Sequence, residues 1–350
     1  MNLAVAGTSP PPGVRSICPS PRPKRPCSTC CERRWMSGAE RYHGVLPVNK
    51  PVGMTSHDVV DEIRRAIGQR GGGHTGTLDP LADGLLVVCI GRATKISRYL
   101  TDTDKEYEAT IRLGVESPTY DAEGLDSPCE QLPDPGLSTE QIEAALEPFR
   151  GEIRQMVPPY AAVRVGGKRL YKAARRGEEV ERPVRTVRID DLGLLSVDGP
   201  DVRLRIRCSK GTYIRSLAHD LGRALGCGAY LAGLRRTKVG VFSLDDSLSL
   251  SDIIRLHSNS ELEQHLVPIE RVLPFAAIEI ADDLAARVVQ GPPIRQADAL
   301  RLRGRFAVGD PLLLTDRAGR CLAIGRAVIG SEEFDRATDA QLFSYERVLN

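Results

Sequence analysis

No apolar run in this chain of 350 residues approaches the length that spans a bilayer, which excludes a helical membrane protein. No apolar stretch follows a charged start, so residues 1–40 do not read as a secretory signal. There are no internal repeats. A strong net charge is missing as well. The total is +2, and residues 1–41 alone hold seven Arg or Lys against two Asp or Glu. The remainder, with 41 basic and 44 acidic side chains, is slightly acidic. If that body binds nucleic acid, it must do so through a local basic patch, not a global field. Metal-ligand spacing is also wanting. Cys27-Ser28-Thr29-Cys30 has no second pair and no His cluster to complete a zinc site. Cys18 and Cys31 share that tail. Cys89, Cys129, Cys208, Cys227 and Cys321 are scattered singly and read as reduced thiols of a cytosolic protein.

What is present suits a soluble globular protein with two cores. Hydrophobic residues make up 41% of the chain and charged ones 27%. Residues 1–40 are rich in Pro, Ser, Arg and Cys without periodicity and read as disordered. Met36 could be the biological start. Order is expected from a short strand at Gly44–Lys50, then a helix over residues 59–67 capped by Thr55 or Ser56. Alternation predicts strands over 105–114 and 203–208. Helices are expected at 94–100, 139–149 (capped by Ser138), 213–225 (closed by Gly226) and 249–256. A linker is expected near 257–268. Short strands divided by Gly and Asp turns then suggest a small β-rich module to the C-terminus.

The most informative stretch runs Gly73-His74-Thr75-Gly76-Thr77-Leu78-Asp79-Pro80-Leu81-Ala82-Asp83-Gly84. Asp79 sits between a glycine-rich loop and the apolar run Leu85–Gly91, which reads as a buried strand. Glycines allow sharp turns and close approach of a ligand, and Pro80 fixes the backbone just after the carboxylate. A lone aspartate on such a loop suits a nucleophile or a proton-transfer group. The segment resembles the nucleophile loop of the TruB family of tRNA pseudouridine synthases, G-H-x-G-x-L-D-P-x-A-x-G, at every fixed position. Three further segments match that family in order: Val48–Ser56, like its K-P-x-G-x-[ST]-S stretch; Lys105-Glu106-Tyr107; and Cys208–Leu217. The resemblance covers roughly residues 44–243.

It implies a pseudouridine-synthase-like fold, α/β (α+β), with a mixed curved sheet, flanking helices and a catalytic cleft. It also implies conversion of uridine to pseudouridine in RNA, at the T-loop uridine conventionally labelled position 55 of tRNA. No cofactor or metal is called for, because a carboxylate nucleophile can attack the nucleotide and later leave. By the resemblance, Asp79 is the nucleophile, Arg215 its partner and Tyr107 the active-site tyrosine that stacks on the target base. An arginine suits the pairing because it can grip a carboxylate with two donors. His74 resembles the histidine that packs where the base has left the stack; read alone, it could be a loop histidine bonding its own backbone. Tyr213 and Leu234 resemble further pocket residues and could equally be core. Lys50 resembles a basic residue near the pocket and could equally be solvated.

Residues 158–177 carry the basic patch. Lys168, Arg169, Lys172, Arg175 and Arg176 crowd an expected short helix, with Tyr160 and Tyr171 interleaved. Lys172 and Arg176, four apart, should then share one helix face. The segment, about 157–185, resembles the family's mobile thumb, which folds over an RNA stem-loop. The implied organisation is a disordered extension at 1–40, a catalytic domain at 41–256 and a PUA-like RNA-binding domain at 268–350. The implied partner is the T-stem-loop of tRNA, with no membrane and no obligate protein partner evident. Two rivals remain. One is an RNA-binding tRNA-folding chaperone with little catalysis. The other is a metal-dependent hydrolase using Asp79 and Asp83, which would need clustered carboxylates.

Overall fold

A computed structural model describes residues 41–125, 130–131, 136–174, 176–178, 180–334 and 340–349, without the side chains of 130, 131, 168 and 169. The expectations for residues 1–40, including the Cys27–Cys30 pair, and for Cys129 and Arg175 lie outside the described residues.

The chain enters on β1 (Gly44–Lys50) and turns into α1 (Ser56–Ile67). Thr55 caps this helix. Its hydroxyl accepts from the Asp58 N–H, and the Asp58 carboxylate returns a bond to the Thr55 N–H. After β2 (Gly72–His74) comes the loop that carries Asp79, then β3 (Ala82–Ile90). The unbroken apolar character of β3 has a packing cause. Leu85, Val87 and Cys89 face one core, while Leu86, Val88 and Ile90 face another. A 3-10 turn at Gly91–Ile96 leads into α2 (Ser97–Thr101), where the sequence predicts one helix.

β4 (Lys105–Leu113) alternates as expected. Ser138 caps α3 (Thr139–Leu146), with Gln141 completing the capping box. Then follow β5 (Gly151–Met156), α4 (Leu170–Ala174), β6 (Val184–Asp198) and β7 (Asp201–Cys208). β6 escapes sequence reading because its register shifts at Ile189/Asp191 and Leu194/Ser196, which breaks the alternation. α5 (Ile214–Ala224), β8 (Ala229–Val239), β9 (Phe242–Ser243) and α6 (Leu250–Ser258) complete this part. Gly226 closes α5 at φ +73°, as its position predicts.

These strands make a nine-stranded mixed sheet, ordered β1-β3-β8-β4-β7-β6-β5, with β2 on β3 and β9 on β8. The β3–β8 pair is parallel and the other pairings are antiparallel. On β4 and β7 one face is apolar: Ala109, Ile111, Val202, Leu204 and Ile206 pack under Leu217 and Leu221 of α5 and Ile142 and Leu146 of α3. Each of the Val, Leu and Ile side chains contributes about 1.5–3 kcal/mol through burial. The other face is charged, and Arg203 and Arg205 pair with Glu108 at 3.5 Å and Asp191 at 3.0 Å.

The C-terminal module is a six-stranded sheet of β10 (Ala276–Ile280), β11 (Ile294–Arg295), β12 (Ala299–Arg303), β13 (Pro311–Thr315), β14 (Cys321–Ala327) and β15 (Gln341–Val348). Its order is β11-β15-β14-β13-β10-β12. The linker expected at 257–268 is not a free connector. Leu262 and Leu266 are buried, and Val267 exchanges backbone hydrogen bonds with Val45 at 2.8 and 2.9 Å. The two sheets also share a core, in which Val45, Leu85 and Val87 meet Ile269, Leu313, Ile324 and Leu349. The side chains of Cys89, Cys208, Cys227 and Cys321 are buried. Among the described residues no helix is long and apolar enough to cross a membrane.

Candidate active site

The loop from Thr75 to Leu81 is held from several sides. The Thr75 N–H bonds the Val87 carbonyl at 3.0 Å, and the Ala82 N–H turns back to the Asp79 carbonyl at 3.0 Å. Ser56, at the start of α1, accepts from the Leu78 N–H at 2.8 Å and donates to the Leu78 carbonyl at 3.1 Å. The Gly53 N–H donates to the Pro80 carbonyl at 2.7 Å, from a backbone at φ +89° that suits glycine. The Val48–Ser56 motif thus supports the Asp79 loop from behind.

Arg215 arrives from the first turn of α5, where its positive charge opposes the helix dipole. Carboxylates answer it. Nε lies 3.0 Å from Asp79 Oδ2, and Nη1 lies 3.2 Å from Asp121 Oδ2. Nη1 and Nη2 also point to the Thr119 and Tyr160 carbonyls, each at 3.4 Å. The expected grip on one carboxylate is therefore replaced by a bridge between two. The Arg215 side chain is 7% exposed, while Asp79 is 36% exposed at the cavity wall. Burial pushes the Asp121 carboxyl up; the Thr119 hydroxyl, donating at 2.5 Å, and the Arg215 charge oppose that rise. Tyr213 caps α5 without a side-chain bond of its own. The buried Gln155 amide pins it instead, accepting from its N–H at 2.8 Å and donating to its carbonyl at 3.0 Å.

A cavity of about 760 Å³ opens over this pair. Asp79, Tyr107, Tyr213, Arg215 and Leu234 all line it, so five of the residues singled out in the sequence converge. Tyr107 projects from β4 and is 8% exposed. Burial raises its phenol pKa, and the neighbouring Arg236 charge opposes that rise. Burial likewise raises the Tyr213 phenol. Tyr160 and Tyr171, from the basic segment, reach the same cavity.

Other expected site residues lie elsewhere. Lys50 is fully buried, donates to the Pro51 carbonyl at 2.8 Å and does not line the cavity. Its burial lowers its pKa, against the pull of Asp83 and Asp79. Lys50 is thus a basic residue close enough to Asp79 and Asp83 to feel their charges, but it is not solvated, and closed off at the end of β1 it does not present its ammonium to the cavity for the substrate contact that the resemblance implies. His74 stands just outside the cavity lining, half-buried, and its Nδ1 accepts from the Gly76 N–H at 3.4 Å. Burial first, then the Arg236 and His57 charges, lower its pKa.

The basic segment also differs from expectation. Lys168 and Arg169 sit on a two-stranded ribbon with Arg164 and Val165, and α4 spans only Leu170–Ala174. Lys172 is exposed on that helix, but Arg176 lies in the turn beyond it, its carboxylate partner Glu178 at 3.5 Å. The two do not share a helix face, because the helix ends before its second turn. Asp121 and Arg236 were not foreseen. Asp121 lies in a loop-rich stretch without periodicity, and Arg236 follows Arg235 on a strand and reads as surface charge. Among the described residues, no cluster of three or more His, Cys, Asp or Glu is placed to hold a metal.

Comparison with known proteins gives the family. The profile of the TruB family pseudouridylate synthase N-terminal domain matches residues 64–214, and that of the tRNA pseudouridylate synthase B C-terminal domain matches residues 215–274. The tRNA pseudouridine synthase B of Burkholderia mallei (strain NCTC 10247) is 43% identical over 293 residues, 82% of this chain and 94% of that protein. This chain belongs to the TruB family. The family member from Chromobacterium violaceum is 44% identical over 276 residues, 78% of this chain and 88% of its own length. Among solved structures, an archaeal box H/ACA Nop10–Cbf5 complex superposes with TM-score 0.66 at 27% identity, over 88% of this chain and 86% of that one. A second, an H/ACA ribonucleoprotein bound to a substrate RNA containing 2′-deoxyuridine, gives TM-score 0.67 at 26% identity over 88% and 85%. The fold class expected from the TruB resemblance is the one observed.

Proposed function

We propose that this chain isomerises uridine to pseudouridine in tRNA, at the T-loop uridine conventionally numbered 55. One observation carries the reading: Asp79, held by Arg215, lies with Tyr107 on the wall of a cavity large enough for one extruded nucleoside. Isomerisation breaks the bond from N1 to the ribose C1′ and forms one from C5 to C1′. The C5 proton is lost, N1 of the rearranged ring carries a proton, and the overall mass is unchanged. The Asp79 carboxylate attacks the nucleotide and leaves again, so the balance needs no external donor. Arg215 is already pinned by Asp121 and by two carbonyls, so it presents its Nε to Asp79 without reorganising.

Tyr107 stacks on the base, and its buried phenol is placed to help move the proton. Tyr213 and Leu234 close the pocket around it. Extrusion of the uridine costs a few kcal/mol. His74, at the entrance of the Asp79 loop, fills the gap; a neutral ring, which its lowered pKa favours, suits stacking. Lys168, Arg169, Lys172 and Arg176 meet phosphates of the stem-loop, with Tyr160 and Tyr171 on the cavity side. The catalytic part is residues 41–256, and the PUA-like part from 268 adds RNA contacts. The setting is the cytoplasm. The test is to incubate the pure protein with an unmodified tRNA transcript and locate pseudouridine by base-specific chemical tagging. Modification at the T-loop uridine is expected. Binding without modification would favour the tRNA-folding chaperone instead.

A further inference from the structure

Arg236 and Asp121, each 2% exposed, are deeply buried charges on the cavity wall. Arg236 lies on β8, opposite Gly84 of β3 on one side and Tyr107 of β4 on the other. Nε donates to the Leu85 carbonyl at 2.7 Å, and Nη2 donates to the Gly76 carbonyl at 3.1 Å. Those two carbonyls flank the segment that carries Asp79, one before it and one after. The fit at Gly84 is close. A Cβ there would lie 2.4 Å from the Arg236 carbonyl oxygen and 2.9 Å from its nitrogen, and Gly84 has φ +95°.

We propose that Arg236 is a positioning residue for the reaction: its guanidinium staples the two ends of the Asp79 loop together and fixes that loop against Tyr107. The inference rests on Asp79 being the nucleophile. A guanidinium is suited to the task because its donors are held in one plane at fixed angles and stay charged. A lysine ammonium in the same place could serve one carbonyl well but not both across the loop. The guanidinium packs against the loop, since a Cβ at Gly76 would lie in van der Waals contact with Arg236 Nη1, 3.5 Å away. The charge also acts on the cavity. It counters the burial-driven rise of the Tyr107 phenol and lowers the pKa of Lys105 and His74. A misplacement of about 1 Å at a reacting group costs roughly a hundredfold in rate.

The test uses full-length Arg236→Lys and Arg236→Gln, each checked for folding by circular dichroism at the assay temperature. Single-turnover pseudouridine formation is measured per folded, tRNA-bound molecule, with tRNA affinity measured alongside. Both variants are expected to lose about tenfold to a hundredfold in rate while affinity changes less than about threefold. A residue that merely stabilises the fold would leave that normalised rate unchanged, and such a result in either soluble variant overturns the proposal. Should one variant fail to fold, the other decides. Asp79→Asn is run in parallel. If it keeps its turnover, the nucleophile reading fails; if it is inactive while the Arg236 variants match wild type, only the staple fails.

Discussion

Arg215 sits between two carboxylates of unequal exposure. Its Nε meets Asp79, 36% exposed, at 3.0 Å, and its Nη1 meets Asp121, 3% exposed, at 3.2 Å. The buried partner anchors the arginine, and the exposed one is left facing the cavity. This explains how a cation is tolerated on the first turn of a helix, with only its Nε given to Asp79.

Arg215→Ala should therefore lower both stability and turnover. It leaves Asp121 buried without its counter-charge, a change that typically costs about 3–5 kcal/mol. Arg215→Lys should be milder for stability but still lose activity at least about tenfold, since one ammonium cannot span both carboxylates. Thermal unfolding and single-turnover assays of the two variants decide. Unchanged melting and unchanged turnover in Arg215→Ala would contradict the bridge.

Lys105 gives a pH-dependent prediction. Burial, reinforced by the Arg236 charge, lowers its ammonium from 10.5 to about 8, while its Nζ donates to the Thr101 carbonyl at 2.7 Å. In the unfolded chain the proton stays on until about pH 10.4. Between these values the unfolded state binds more protons, so the contribution of Lys105 to stability rises with pH. Denaturant unfolding of wild type and Lys105→Met from pH 7 to 10 should show the difference moving in favour of wild type as pH increases. A constant difference would mean that the folded-state pKa is not depressed.

Much of the site was legible in the chain. The Asp79 loop, Tyr107 and Arg215 carry their chemistry in short local patterns, and local patterns survive folding. Asp121 was not legible, because its pairing with Arg215 spans 94 positions and no periodic element marks it. Arg236 was hidden because β8 has bulges at Leu231/Gly233 and Arg236/Lys238, so no alternation shows which arginine turns inward. Lys50 misled for the opposite reason. A lysine in a glycine- and proline-rich motif reads as exposed, whereas the Val48–Ser56 turn folds under the Asp79 loop. In the fold, elements with clean caps or clean alternation were found, such as α1, α3, β4 and β7. β6 was missed where bulges disrupt its period.

Charge reversal in the basic segment, Lys172→Glu with Arg176→Glu, should weaken tRNA binding and flatten its salt dependence. Each lost phosphate contact should reduce the log–log slope by roughly 0.7–0.9. Turnover at saturating tRNA should fall less than affinity, because neither residue lines the cavity. Affinity measured at several salt concentrations checks this. Equal affinity and parallel salt plots would place the RNA clamp elsewhere.

Asp79 is the group on which the proposed chemistry depends. Wild type and Asp79→Asn are to be compared in single-turnover reactions with an unmodified tRNA transcript, pseudouridine being counted at the T-loop uridine. The amide keeps the shape of the side chain but is a far poorer nucleophile. The variant should bind tRNA close to normally and form no pseudouridine within the assay limit, because losing a covalent step costs many orders of magnitude. Turnover above about a tenth of wild type would remove Asp79 from the chemistry, since no loss so small is compatible with a missing nucleophile.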